Sequence, residues 1–437
     1  MGEVDRISDL PEEIKVTILS YLPTTDAVRT SVISRSWRHL WTFLTSLHAH
    51  LDSYRQSIGS TESFGRILSS FRGPIRHFSL RCFLHDSNQS CLQHFLEIIF
   101  RKCGLWALSV NCMHLPVSVQ LPSFRSLRDL HFEWIDISLP SDFGGFEQLT
   151  SLKLHSVWIS QRDVQLLIDG SKKLMSIELS IEHFKSPEDA APGERPSLVC
   201  LNCPLLNSLR FDFTEKNEAQ LRIISAPCLE SAHITAGTMV SRTVEGLVRV
   251  GAATLNLMPD IARISHLSLN SEVLECLPFS DVEAPVPHTL PVHFRQLRCL
   301  KLIDQTCYMD ETMFRVLCCF LRSMPFLENF ELQCHNLGCV AERDGGPFNK
   351  YKKKVDGYLC LDRTLRRVAI SMKNLRGLQD VMWMLHFILL NANVLELIEI
   401  TYSNDNKVKP RILEGLCEID KASTNAHVVL VNINDMG

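Results

Sequence analysis

Asp5 to Trp41 reads DRISDLPEEIKVTILSYLPTTDAVRTSVISRSWRHLW. Leu10, Ile14, Ile18 and Leu22 recur every four residues and line one side of a helix. Pro11 suits the first helical turn, where its missing N–H costs nothing, and Glu12 and Glu13 suit the positive end of the helix dipole. Pro23 stops that helix, and Thr24 or Thr25 is expected to cap a second short one through Ala27, Val28, Val32 and Ile33. Ser34 is expected to cap a third, with Trp37, Leu40, Trp41 and Leu44 at i, i+3, i+4 and i+7. Three helices in so few residues bury little apolar surface alone. Tryptophans, leucines and a proline therefore remain for a partner, and such anchors dominate interface energy.

These residues resemble the plant F-box. Its L-P-x-x-I is Leu10-Pro11-Glu12-Glu13-Ile14, and its D-A-V-R-T-S-V-x-S-x-x-W-R-x-L-W runs from Asp26 to Trp41. Ser36 departs from the pattern, where a basic residue usually precedes the tryptophan; the change is expected to weaken the adaptor contact rather than the fold. The resemblance implies docking to a Skp-type adaptor and, through it, to a cullin and a ubiquitin-conjugating enzyme. The contact is expected to draw on Leu10, Pro11, Ile14, Leu19, Leu22, Pro23, Val28, Val32, Trp37, Leu40 and Trp41. Some of these must instead hold the three helices together, and the sequence does not divide the two sets.

Beyond a Ser-rich bridge (Ser53 to Ser70) the chain repeats the unit apolar-x-x-apolar-x-apolar. It begins at Ile75, Leu105, Leu127, Leu149, Leu174, Leu206, Leu229, Ile264, Leu297, Leu327, Leu365 and Leu395. Spacing runs from 22 residues (Leu127 to Leu149) to 38 (Leu327 to Leu365). Alternation of period two marks a short strand with one buried face, and only stacked units make a continuous core. The pattern resembles an irregular leucine-rich-repeat array of the plant kind, although the Asn or Cys expected after each strand is poorly kept. An ordinary α/β domain with Leu-rich strands is the competing fold, and twelve recurrences of one spacing weigh against it. The fold class expected is therefore α/β: a short three-helix F-box, then a solenoid with a curved parallel sheet and helices or loops outside.

The expected divisions are an F-box over 1–50, a linker over 51–71, repeats over 72–336, an exposed loop over 337–360 and a C-terminal tail over 404–437. Residues 361–403 resemble the FBD region that often ends plant F-box repeat proteins, with strand–helix–strand order. Between strands, Arg162 to Ile168 and Asp310 to Leu321 read as helical, and Lys185 to Pro196 as an exposed loop. The run Lys350-Tyr351-Lys352-Lys353-Lys354 reads as a solvated loop or an import signal.

Composition narrows the class. Of 437 residues, 45% are hydrophobic and 22% charged, which is globular; the net charge of −4 argues against a basic nucleic-acid-binding surface. No N-terminal apolar run suggests a signal peptide, and Val381 to Leu390 is too short for a membrane span. The sixteen cysteines therefore read as reduced thiols of the cytoplasm or nucleus, and Asn88-Gln89-Ser90 as an idle glycosylation match.

No catalytic constellation emerges: there is no phosphate loop, no H-E-x-x-H and no nucleophile–base pair. Cys200 and Cys203 have metal-ligand spacing without a second pair, and Cys318-Cys319 lies in an apolar run. No enzyme activity, cofactor, metal, nucleic acid or membrane is expected. The outward strand positions His131, Glu133, Lys153, His155, Glu178, Arg210, Asp212, His233, Lys301, Glu331 and Gln333 are the candidates for contacting a target protein. Their mixed charges indicate no single-signed partner. A receptor for a small-molecule signal would need a deep pocket with convergent polar groups; a non-degradative adaptor-bound scaffold is the other competing reading.

Overall fold

The computed structural model describes residues 7, 9–52, 65–83, 89–101, 104–113, 117–185, 198–214, 220–237, 244–277, 288–304, 311–334, 357–372, 378–402, 408–417, 419 and 421–432. Most of the Ser-rich bridge, Asn88, the loop over 186–196 and the lysine run at 350–354 lie outside the described residues. Two compact units form. The first holds Met1–Leu206, Lys216–Ala219 and Ser225–Pro227; the second holds Asn207–Glu215, Gln220–Ile224 and Cys228–Gly437.

The first unit opens with helix α1 (Glu12–Ser20), whose cap position is Pro11 and whose first turn carries Glu12 and Glu13. Helix α2 (Thr24–Arg29) repeats the arrangement, with Pro23 at the cap. The expected cap by Thr24 or Thr25 is not made. Thr24 Oγ1 instead accepts the His48 amide at 2.9 Å, tying α2 to the following strand. The third helix also differs: Arg35 to His39 forms turns and Leu40–Phe43 a 3₁₀ turn. So short a segment without a side-chain cap does not offset helix nucleation, yet its apolar stripe is kept. Trp37, Leu40 and Leu44 are buried.

A strand begins inside the expected F-box and runs past its end. Strands β1 (Ser46–Asp52), β2 (His77–Phe83), β3 (Ala107–Met113), β5 (Asp129–Glu133), β7 (Ser151–Ser160) and β8 (Ser176–Lys185) pair in that order, all parallel. From β2 on, each starts two residues after the first apolar residue of its repeat. That residue (Ile75, Leu105, Leu127, Leu149, Leu174) is fully buried. Register stacks Leu47, Phe78, Leu108, Leu130, Leu152 and Ile177 in one buried row, so every unit covers its neighbour's apolar face.

A second set of strands was not legible from the repeat. β4 (Val117–Gln120) pairs with β6 (Ile135–Ser138), and β6 meets the far half of β7 at Asp136 and Trp158. The chain turns into these segments at Trp134 (φ 58°) and at Ser156 (φ 48°), the latter at a bulge in β7. Helix Gln161–Asp169 follows, capped by Ser160 Oγ accepting the Asp163 amide at 3.0 Å. From it Gln165 donates to the Cys200 carbonyl and accepts the Cys200 amide, each at 3.0 Å, holding β9 (Leu198–Asn202).

In the second unit β10 (Ser208–Phe213), β12 (Ser231–Ala236), β13 (His266–Asn270), β14 (Cys299–Asp304), β15 (Asn329–Cys334), β16 (Arg367–Met372), β17 (Leu397–Tyr402) and β18 (His427–Asn432) pair in sequence, again all parallel. A further strand, β11, spans Gln220–Ser225. Helix Glu311–Ser323 agrees with the expected one. The strand–helix–strand order expected of 361–403 is present as β16, helix Leu378–Asn391 and β17. Residues 404–437, expected to be a tail, instead carry helix Val408–Cys417 and β18, which adds to the edge at β17.

Candidate interaction surfaces

Two surfaces are the candidates for contact with other proteins. The first is the helical N-terminus. Its alternation separates the eleven expected adaptor residues. Leu19, Trp37 and Leu40 are buried inside the chain and serve the contacts among helices and turns, a correction to their expected place at the adaptor. Ile14, Leu22 and Val32 are exposed, Val32 at 89%, and Pro11 and Pro23 stand beside them in the open. Leu10, Val28 and Trp41 are half-buried, with the Trp41 ring edge-on to Phe71 at 5.7 Å. Ile18, Tyr21, Ile33 and Phe43 are exposed as well. The Leu10–Ile14–Ile18–Leu22 spacing therefore marks an outward stripe, while Leu19 and Lys15 face in.

The second surface is the outward face of the parallel strands. In the first unit the register brings five expected residues together, with His131 beside Lys153 beside Glu178, and Glu133 beside His155. Lys153 Nζ lies 2.6 Å from Glu178 Oε1, and His155 Nε2 lies 3.2 Å from Oε2 of the same carboxylate. Asn111 Nδ2 donates to Glu133. The His131 ring meets His155 edge-on at 5.5 Å. Its burial, and then the nearby His155 and Lys153, hold it below its ordinary pKa, with Glu178 opposing.

In the second unit Arg210 Nε donates to both oxygens of Asp212 at 3.2 and 3.3 Å, and Thr235 also donates to Asp212. His233 is half-buried next to Arg210 in the register. Lys301 Nζ approaches Glu331 Oε2 only to 3.9 Å, and Gln333 is half-buried between Ile303 and Ser371. Most of these groups are thus satisfied within the face.

The alternation missed the position just before each strand. There Arg76, Trp106 and Arg128 line up on three successive units, joined by Trp106 N–H to Arg76 C=O at 2.7 Å and Arg128 N–H to Trp106 C=O at 2.7 Å. The guanidinium carbons lie 4.4 Å (Arg76) and 5.1 Å (Arg128) from the Trp106 ring centroid. The signal was available as basic–aromatic–basic immediately after Ile75, Leu105 and Leu127.

Three of the cysteines singled out above are packing residues. Cys203, Cys318 and Cys319 are buried, and burial pushes each thiol up to about 11. Among the described residues no group of three or more His, Cys, Asp or Glu could hold a metal, and no helix is long and apolar enough to cross a membrane.

Residues 7–48 match the F-box domain family, and residues 96–332, more than half the chain, match the leucine-rich repeats of the FBD-associated F-box protein At5g56370. The chain belongs to the F-box/FBD/LRR-repeat family. The F-box/FBD/LRR-repeat protein At3g14710 of Arabidopsis thaliana is 25% identical over 97% of this chain and 94% of its own length. A second F-box/FBD/LRR-repeat protein of the same plant, At2g04230, is 24% identical over 75% of this chain and 74% of its own. The FBD-associated F-box protein At4g10400, also of Arabidopsis thaliana, is 29% identical over 52% and 50% respectively. In this F-box/LRR chain the outward apolar stripe lies wholly within the matched F-box, and the Arg–Trp–Arg row spans the start of the matched repeats.

Proposed function

We propose that this chain is the substrate-recognition subunit of a Skp–cullin–F-box ubiquitin ligase. The F-box holds a Skp-type adaptor through Pro11, Ile14, Leu22, Pro23 and Val32, with the half-buried Leu10, Val28 and Trp41 at the margin. The strand face holds a target protein. The role is positioning: a bound target's lysines are kept at high effective concentration near a thioester-loaded enzyme, as tethering provides. The observation that carries the reading is the cluster of aliphatic side chains left in the open on α1 and after α2. In the register row of the same unit, by contrast, Leu47, Leu108, Leu130, Leu152 and Ile177 are buried. Exposed apolar patches of that kind mark protein contacts.

Affinity capture from cells of the full chain beside Ile14→Asp/Val32→Asp tests this. The double variant is expected to lose adaptor and cullin and to keep the target, whose level should rise. Capture of adaptor and cullin by the variant at wild-type levels would overturn the assignment of the stripe. Absence of adaptor from the wild-type capture would overturn the function.

A further inference from the structure

Four arginines occupy the position immediately before a strand: Arg76 and Arg128 in the first unit, Arg298 and Arg366 in the second. Their backbones do the same thing. Each donates its N–H to the equivalent carbonyl of the preceding unit, Thr45, Trp106, Ser265 and Glu328 respectively. Their side chains do not. Arg298 Nη1 is 2.8 Å from Glu328, and Arg366 Nη1 is 2.7 Å from Glu396, so each second-unit guanidinium is answered by a glutamate one unit on. In the first unit the neighbour is Trp106, and neither Arg76 nor Arg128 has a carboxylate partner among the described residues.

Stacking on an indole fixes the plane of a guanidinium and leaves its N–H fork unused. Trp106 thus acts as a spacer that orients two cations and neutralises neither. The site is accessible: Arg76 and Arg128 are exposed, Trp106 is half-exposed, and His77 meets the indole edge-on at 6.1 Å. The Trp106 indole N–H donates to no group among the described residues. Asp129, the next residue after Arg128, forms no ion pair with either arginine.

We infer that Arg76, Trp106 and Arg128 form a subsite for an acidic peptide segment of the target, one that places two Asp or Glu carboxylates on the two guanidinium forks. The inference rests on the target-receptor reading above and names the chemistry that this face selects. Charge decides among occupants. Two forks held two units apart, one on either side of Trp106, match two carboxylates of an extended peptide, whose alternate side chains share one face. A nucleic acid gains its affinity from many phosphate contacts, and Glu133 and Asp129 on the same strand oppose a long polyanion.

Fluorescence anisotropy on the purified full chain gives the test, with a labelled ten-residue peptide carrying alternating Glu and Ser, its Gln/Ser counterpart, a phosphoserine peptide without Glu, and a single-stranded oligonucleotide. The Glu peptide should bind, and Arg76→Gln/Arg128→Gln should weaken it by at least about tenfold. Trp106→Leu should weaken it less, and Arg76→Lys/Arg128→Lys should restore part of the loss, because charge returns without the planar fork. The control Arg298→Gln/Arg366→Gln, whose arginines already have partners, should bind as wild type. Equal binding of the Gln peptide, tighter binding of the phosphopeptide or the oligonucleotide, or equal losses in the control double variant would each overturn the subsite. If captured targets bind Arg76→Gln/Arg128→Gln undiminished, the subsite fails while the receptor reading stands.

Discussion

The F-box and the repeat strands treat the same kinds of side chain in opposite ways. Along β2 to β8 each Leu, Ile or Val in a register row lies against the equivalent residue of the next unit, and Leu152, Leu154 and Ile177 expose nothing. Along α1 and the turn after α2, Ile14, Val32 and Ile33 lie open, while Leu19, Ala27 and the later Trp37, Leu40 and Leu44 are turned inward. A repeat strand finds its partner in the same chain one unit away. A segment of two short helices has no such neighbour, so an apolar side chain there either joins a very small core or waits for another protein. Equal hydrophobicity therefore has unequal consequences, and mutation separates them.

The largest effect should come from the buried rows. Leu152→Ala removes a side chain that is fully enclosed, and such truncations cost about 2–5 kcal/mol of stability. Val32→Ala, at 89% exposure, should change stability by less than about 0.5 kcal/mol. Urea unfolding of the two variants beside wild type measures both. If Val32→Ala is as destabilising as Leu152→Ala, the F-box side chain is part of a core and the contrast is wrong.

Backbone closeness gives the next effect, again confined to the repeats. Gly145 has φ +87°, and a Cβ there would lie 2.5 Å from the carbonyl oxygen of Gly170, with the Phe146 amide already bonded to that oxygen at 3.0 Å. Both the left-handed conformation and the backbone contact exclude a side chain. Gly145→Ala should destabilise by about 1–3 kcal/mol, with no loss of adaptor capture. Wild-type stability for Gly145→Ala would mean that the two turns can separate freely.

Much of this was written in the sequence, unevenly. The twelve apolar-x-x-apolar-x-apolar units each became a strand, because period two with a buried first residue admits few alternatives once neighbours stack. What failed had weaker local signals. The third helix became turns because its length cannot sustain a helix. β4 and β6 are four residues each and were hidden by the stronger repeat beside them. The last unit was missed because His427–Asn432 carries Val428 and Leu430 but no leading leucine. Within the candidate surfaces, helical spacing marked the outward stripe at Ile14 and Leu22 yet could not tell it from the inward Leu19. That distinction depends on how α1 lies against the later turns. Strand alternation found His131, Lys153 and Glu178 but passed over Arg76, Trp106 and Arg128, which stand one residue before it begins.

The smallest effect tests whether the repeat face is packed even where it is polar. His131 is half-buried between Ser109 and Lys153 in the register, and burial, then His155 and Lys153, hold its pKa below the ordinary 6.5. The sign follows from linkage: as pH falls through 6.5 the unfolded chain takes up this proton first, so stability present at neutral pH is lost on acidification until the folded ring also protonates. Glu178 limits the loss by favouring the charged ring. His131→Gln removes the titrating group and keeps a polar side chain of similar reach. The fall in the urea midpoint between about pH 7.5 and pH 5.5 should therefore be shallower in the variant than in wild type. A slope unchanged by the substitution would mean that His131 is as solvated in the folded chain as in the unfolded one. The outward strand face would then resemble the F-box stripe, open at every side chain, and the line between a self-covered repeat and an uncovered helix would have to be drawn at the buried rows alone.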